Sequence, residues 1–172
     1  MTQTPPEGHD GPYEAPIRTA SRTVPPEWID YNGHMNVAYY TMAADQALDR
    51  MLEDHLGVGE KHARDARQGP YALQSQMHYL GELLEGASFH ARLTLLDHDA
   101  KRVHIFLELI ADADGSVAAT CETLLMNVDL EARRSVPYPD WAQARMARMK
   151  ADHADVPRSD LIGAVIGIRR RS

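Results

Sequence analysis

Between Trp28 and Tyr40 the chain reads Trp-Ile-Asp-Tyr-Asn-Gly-His-Met-Asn-Val-Ala-Tyr-Tyr. A carboxylate (Asp30), two carboxamides (Asn32 and Asn36), an imidazole (His34) and tyrosine phenols are thus packed into a turn that leads directly into a helical pattern. Backbone amides at a helix start have no intrahelical acceptor and carry a positive partial charge. Such amides can hold an oxyanion or polarise a carbonyl. Asp30 lies just upstream of them, and a carboxylate beside a carbonyl-polarising donor can drive acyl transfer, by direct attack or by activating water. Each residue also has an ordinary structural use. Aspartate favours loops that precede helices, Asn36 is well placed as an N-cap, and Gly33 can serve a backbone angle. His34 can bond the loop, orient Asp30 or pack against a sheet. Tyr39 and Tyr40 suit a core or a pocket wall.

The elements that must position this turn are legible from periodicity. Residues 17–24 form a candidate strand that stops at Pro25-Pro26, since proline cannot donate to a ladder. From Asn36, Tyr40, Ala44, Ala47, Leu48, Met51 and His55 or Leu56 recur at the spacing of one buried helix face, and Gly57 and Gly59 end the run. About 20 residues at roughly 1.5 Å each make a helix near 30 Å long, enough to cross a sheet. Glu60 to Gly69 is expected as a charged loop. The period then drops to two: Tyr71, Leu73, Met77 and Tyr79 alternate with Gln74, Gln76 and His78, and further runs cover Phe89–Leu95, Val103–Leu109 and Val117–Val128. Short turns predict an antiparallel meander for the last three. Trp141 to His153 reads as a second, more polar helix beginning near Pro139-Asp140. The fold class is α+β, with one helix face buried on one antiparallel sheet, and its open edges favour pairing with a second copy. Residues 1–16, rich in proline and glycine, read as a flexible arm. Residues 17–156 form the folded domain, and 157–172 a tail.

Composition removes whole classes of function. The chain of 172 residues is 44% hydrophobic and 25% charged, sufficient for one real core. Its net charge of −7, from 18 Lys+Arg against 25 Asp+Glu, disfavours a nucleic-acid partner. No apolar run approaches the roughly 20 residues of a membrane span, and no secretory signal opens the chain. Cytoplasmic localisation is expected, consistent with Cys121 as the sole cysteine. The histidines have no familiar ligand spacing and lack a second thiol, so neither a metal nor another cofactor is expected.

The motif of residues 30–36 resembles that of the hotdog-fold acyl-CoA thioesterases, in particular the 4-hydroxybenzoyl-CoA thioesterase branch, where Asp-x-x-Gly-His-x-Asn precedes a helix. The likeness extends over residues 18–140, through His78-Tyr79-Leu80 to Gly86 and through Thr123 to Pro139. It implies a hotdog fold: a five-stranded antiparallel sheet wrapped around one long helix, plus a short C-terminal helix. It also implies an acyl-CoA substrate and a homodimer or homotetramer. Within it Asp30 is the catalytic carboxylate, His34 and Asn36 are its neighbours in the motif, and the amides near Asn36 and Val37 polarise the thioester. Family members often have a second Asn where this chain has Val37. Trp28-to-Met35 and the strand Arg102-Val103-His104-Ile105-Phe106 also resemble the thioesterase domain found with carnitine dehydrogenases, which acts on betainyl-CoA. A trimethylammonium head would suit an aromatic cage, for which Trp28, Tyr31, Tyr40, Tyr71 and Tyr79 are candidates. Gly33 and Gln74 complete the expected substrate-binding set, with Gln76 beside it on the same strand. A non-catalytic acyl-CoA-binding hotdog protein and a hotdog dehydratase or hydratase remain rival readings. The Arg-rich end, Arg169 to Arg171, could meet CoA phosphates or simply be a solvated terminus.

Overall fold

A computed structural model describes residues 9–168. Two short strands, β1 (Ile17–Arg18) and β2 (Arg22–Thr23), precede a single 3-10 turn, Pro26–Trp28. Helix α1 spans Val37–Arg50 and runs on without interruption into a six-residue π-helical segment with wider turns, Met51–Leu56. Together they make the expected long helix. The wider turn carries Leu56, rather than His55, fully into the core. Gly57, at φ 71, closes the helix in the left-handed conformation.

Helix α2 (Glu60–Ala66) replaces the expected charged loop. Its sequence is almost wholly polar, so no apolar period announces it. It is held by His62, buried edge-on against Trp141 at 5.6 Å. Strands β3 (Gln68–Tyr79), β4 (Ser88–His98), β5 (Arg102–Ala111) and β6 (Val117–Asp129) follow, then a two-residue β7 (Arg134–Ser135) and helix α3 (Asp140–Asp152). The sheet runs β1-β4-β5-β6-β3 with every pairing antiparallel, so the predicted meander is β4-β5-β6. The first strand of the expected five is broken in two, and β7 folds back on β6. The core lies between α1 and one sheet face, where Leu93, Ile105, Leu107 and Leu125 meet Ala44, Leu48 and Met51.

Two details depart from the sequence pattern. In β3 the register shifts between Ala72 and Gln74, leaving Leu73 as an inserted residue. One extra residue exchanges the two faces of a strand. Tyr71 and Gln74 therefore lie opposite Met126 and Leu124 on the outer face, while Met77 and Tyr79 lie opposite Cys121 and Ala119 on the helix side. The second concerns the flexible arm. Residues 1–8 fall outside the described residues, but 9–16 are fixed: Tyr13 is 5% exposed within the core, and its amide donates to Asp152 at 2.8 Å. One anchoring tyrosine needs no periodicity, so pattern reading missed it. The tail crosses the outer sheet face, where the Gly163 amide donates to Glu122 (2.6 Å) and Gln76 donates to the Ala164 carbonyl (2.7 Å).

His153 pins α3 in place. It is fully buried; Nδ1 accepts from the Leu95 amide and Nε2 donates to the Glu14 carbonyl, both at 2.9 Å. This pairing requires the neutral ring. Burial lowers its pKa below the ordinary 6.5, and burial lowers those of His55 and His62 as well. An unfolded chain takes up these protons first, so this stabilisation is complete above about pH 6.5 and declines as the pH falls below it. Thermal denaturation from pH 5 to 8 should show that loss. In His153→Gln, which keeps one acceptor and one donor without titrating, the slope between pH 5 and 6.5 should be shallower. An unchanged slope would remove His153 from the account.

Candidate active site

The turn before α1 is held at every step by main-chain bonds. The Asn36 amide donates to the Trp28 carbonyl (2.8 Å), Ile29 bridges Met35, and the Asp30 amide donates to the His34 carbonyl (3.1 Å). The Gly33 amide returns to the Asp30 carbonyl at 3.0 Å, and Gly33 sits at φ 84. A side chain at Gly33 would meet open space, so glycine is there for its backbone angle and not for close packing. Outside the turn, the fully buried Met35 donates its amide to the Leu83 carbonyl at 2.8 Å.

This frame fixes one carboxylate. Asp30 Oδ1 accepts from the Asn32 amide (2.8 Å), and Oδ2 accepts from the Asn36 Nδ2 amide (3.3 Å). Asn36 Oδ1 simultaneously accepts from the Ala38 amide at 2.9 Å, which makes Asn36 the N-cap of α1. The cap settles which end of the carboxamide is oxygen, so its nitrogen is necessarily the end turned to Asp30. The carboxylate therefore stands at the positive end of the long helix. Both its donors are neutral, and lone pairs remain for a reactant. The Val37 amide, first of the helix, has no intrahelical acceptor, and its side chain is 53% exposed.

The other expected site residues divide clearly. His34 bonds through Nδ1 to the Met35 carbonyl (3.2 Å), and what reaches Asp30 is its own carbonyl rather than its ring. Tyr31 is 96% exposed at the tip of the turn. Trp28 and Tyr40 do not offer free faces. Trp28 is buried, with Tyr39 stacked on it at 5.1 Å and the Arg22 guanidinium 5.3 Å from its ring centroid. Tyr40 is buried too: its phenol donates to the Gly81 carbonyl (3.1 Å) and accepts from the Leu83 amide (2.9 Å). Burial raises the pKa of Tyr40, so it serves as a neutral tie between α1 and residues 81–83. Tyr71 and Gln74, carried to the outer face by the β3 bulge, are not brought to Asp30 within the chain. Tyr79 packs edge-on against Tyr40 at 5.6 Å and is half exposed, so the five aromatics do not all converge beside Asp30 within the chain.

Sequence reading passed over Met35 and Leu83, whose backbone contact clamps the turn. The only available hint was an apolar Leu83-Leu84 pair inside an otherwise polar connection. Asp30 lines neither of two concavities elsewhere. One, of about 130 Å³, lies between α1 and β3–β6 and is lined by Asp45, Asp49, Ser75, Met77 and Cys121 among others. The second, of about 560 Å³, lies on the outer face beside Gln74, His104 and Glu122. Among the described residues no group of three or more His, Cys, Asp or Glu is placed to hold a metal ion, and no helix is long and apolar enough to cross a membrane. Arg169 to Arg171 lie outside the described residues.

Comparison with known proteins places the geometry in context. A family model described as the thioesterase-like superfamily matches residues 24–146. The chain is 32% identical over 152 residues to a betainyl-CoA thioesterase of Pseudomonas aeruginosa, covering 88% of this chain and 95% of that one. It is also 32% identical over 155 residues to an L-carnitine dehydrogenase/betainyl-CoA thioesterase of Rhizobium meliloti, covering 90% of this chain but 31% of that longer protein. Among solved structures, the hypothetical protein SAV2348 from Staphylococcus aureus, in complex with CoA, superposes with a TM-score of 0.84 at 28% identity, over 91% of this chain and 98% of that one. A putative thioesterase from Pseudomonas putida shares the fold, with a TM-score of 0.72 at 24% identity over 90% of this chain and 98% of that one.

Two substitutions separate the roles of Asn36. Asn36→Ala removes cap and amide together and should cost about 1 kcal/mol in chemical denaturation. Asn36→Ser keeps a capping oxygen and should stay within about 0.5 kcal/mol of the parent while releasing Asp30. Equal destabilisation by both would show that Asn36 does not act through its cap.

Proposed function

Since this chain belongs to the thioesterase-like superfamily, we propose that it hydrolyses a small acyl-CoA thioester, that Asp30 carries the reaction, and that the acyl group is betainyl. The reading rests on one observation: a carboxylate held by the Asn32 amide and the Asn36 carboxamide beside the open N-terminus of the long helix. The likeness to betainyl-CoA thioesterases supports the choice of substrate.

In the proposed reaction the thioester carbon faces Asp30 and its carbonyl oxygen faces the Val37 amide. The charge that develops on that oxygen is then met by a preorganised N–H and the helix dipole. Either an Asp30 carboxylate oxygen attacks the thioester carbon and forms a mixed anhydride, or Asp30 takes a proton from the water that attacks. In both routes the C–S bond breaks and the CoA thiolate leaves and is protonated; water either attacks the thioester carbon itself or hydrolyses the anhydride. A carboxylate is a weak base at neutral pH, so its contribution is position rather than basicity. The two routes differ in one observable. In a single turnover in ¹⁸O-water, direct attack followed by water opening the anhydride at the Asp30 carbonyl places the label in the Asp30 side chain, whereas activation of water places it in the released acid.

We further propose that the working unit is a homodimer in the cytoplasm. Strand β3 forms one end of the sheet, and its edge is unpaired in the single chain. Tyr71, Leu73, Tyr79 and Leu80 stand exposed along and just beyond it. A long apolar edge is a ready template for a second copy. Pairing there would also bring outer-face residues such as Gln74 of one subunit near the other. The unpaired Cys121, buried with its pKa raised to about 11, accords with a reducing compartment.

Asp30→Asn should reduce thiol release from betainyl-CoA by about a hundredfold or more, with thermal stability nearly unchanged. Near parental turnover would refute the assignment.

A further inference from the structure

The charge of Asp30 has no charged partner among the described residues: both donors on its carboxylate are neutral, and no ion pair to it forms. From Pro26 to Asp49 the sequence contains Glu27, Asp30, Asp45 and Asp49 but no Lys or Arg; from Gln68 to Ala91 it contains Glu82 and Glu85, again with no Lys or Arg. These stretches supply the turn, most of α1, all of β3 and the 81–83 segment clamped onto them. Arg22 approaches from β2, but its guanidinium is spent on the Trp28 ring and on Gln46. The acyl end of a substrate facing Asp30 therefore meets stretches without lysine or arginine, in which His34, His78 and His90 are the basic side chains, although the CoA portion is itself an anion.

Covalent geometry adds a constraint. In a betainyl thioester the quaternary nitrogen is two bonds from the carbonyl carbon, roughly 2.5 Å away. A carboxylate oxygen in attacking position, about 3–3.5 Å from that carbon, is then about 4–5 Å from the nitrogen. The carboxylates of Asp45 and Asp49 are too distant for the same cation: Asp45 is eight residues beyond Val37, about 12 Å along the helix. Of the aromatic candidates, Trp28 and Tyr40 are already occupied and Tyr71 lies on the outer face, which leaves Tyr31 and Tyr79 as exposed rings.

We propose that Asp30 is itself the specificity determinant for the acyl group. Its unpaired carboxylate is the counter-ion of a cation borne on the carbon α to the thioester, and the same field turns away acyl groups ending in a carboxylate. This rests on the proposed reaction, in which Asp30 faces the thioester carbon. Recognition and chemistry then fall to one residue, and a separate cation subsite is unnecessary. The attraction operates at short range in a half-buried setting, where it outlasts screening by moderate salt.

The test uses two non-hydrolysable ketone analogues of CoA that replace the thioester –S–C(=O)– by –S–CH₂–C(=O)–. One ends in trimethylammonium and the other in the isosteric tert-butyl group. Calorimetric titration of the parent should show the cationic analogue binding about 100-fold more tightly. In Asp30→Asn that preference should shrink to about threefold or less, while the neutral analogue binds both proteins alike. A preference that survives in Asp30→Asn would place the cation elsewhere, and its absence from the parent would end the proposal. Thiol release keeps the two ideas distinct. A variant without turnover that retains the cation preference defeats this inference alone, whereas a variant with undiminished turnover defeats the assignment of Asp30 to the chemistry.

Discussion

A single carboxamide ties the architecture to the chemistry. Asn36 spends its oxygen on the Ala38 amide and its nitrogen on Asp30, so the bond that starts α1 also orients the carboxylate. The helix cannot begin elsewhere without releasing Asp30, and Asp30 cannot turn away without giving up a donor tied to the cap. An N-cap contributes about 1 kcal/mol, a small part of the stability of a domain. Its consequence is geometric. It holds a negative group at the end of a dipole that extends through 14 α-helical residues and six more in wider, π-helical turns.

The rest of the molecule keeps that helix start from moving. Tyr40, one turn into α1, ties Gly81 and Leu83, and the Leu83 carbonyl takes the Met35 amide immediately before the cap. The exit of β3 is thereby fastened to both sides of the turn. Further along, Ala44, Leu48 and Met51 bury the helix on the sheet, and Gly57 stops it. The N-terminal strap through Tyr13 and the buried His153 lock α3 to β4 at the far side. This scaffold of many ordinary contacts presents the Asp30 carboxylate, which forms no ion pair among the described residues.

The parts that the sequence disclosed are those that depend on local chemistry or on unbroken periodicity. The long helix, its glycine stop, the β4-β5-β6 meander and the Asp30–Asn36 turn all belong to this kind. The parts it concealed depend on a single residue or on distant partners. Leu73 shifts the phase of β3, so an alternation that looks continuous from Tyr71 to Tyr79 changes face midway, and the aromatic cage drawn from it separates. Helix α2 has no apolar stripe and is fixed by His62 on Trp141, some eighty residues away in sequence. Tyr13 gives order to a proline-rich segment that composition alone assigns to disorder. At the site, the residue types were readable, but the free faces were not: Trp28 looks available until Tyr39 and Arg22 are seen on it.

In the proposed reaction the thioester carbon lies against Asp30, with its oxygen at the helix start. A crystal structure of Asp30→Asn with intact betainyl-CoA bound measures this directly. The expected result is the thioester carbon within about 3.5 Å of the side chain at position 30 and the carbonyl oxygen directed at the Val37 amide. An acyl group seated instead in the cleft beside Asp45 and Asp49, or on the outer face beside Gln74 and His104, would contradict it.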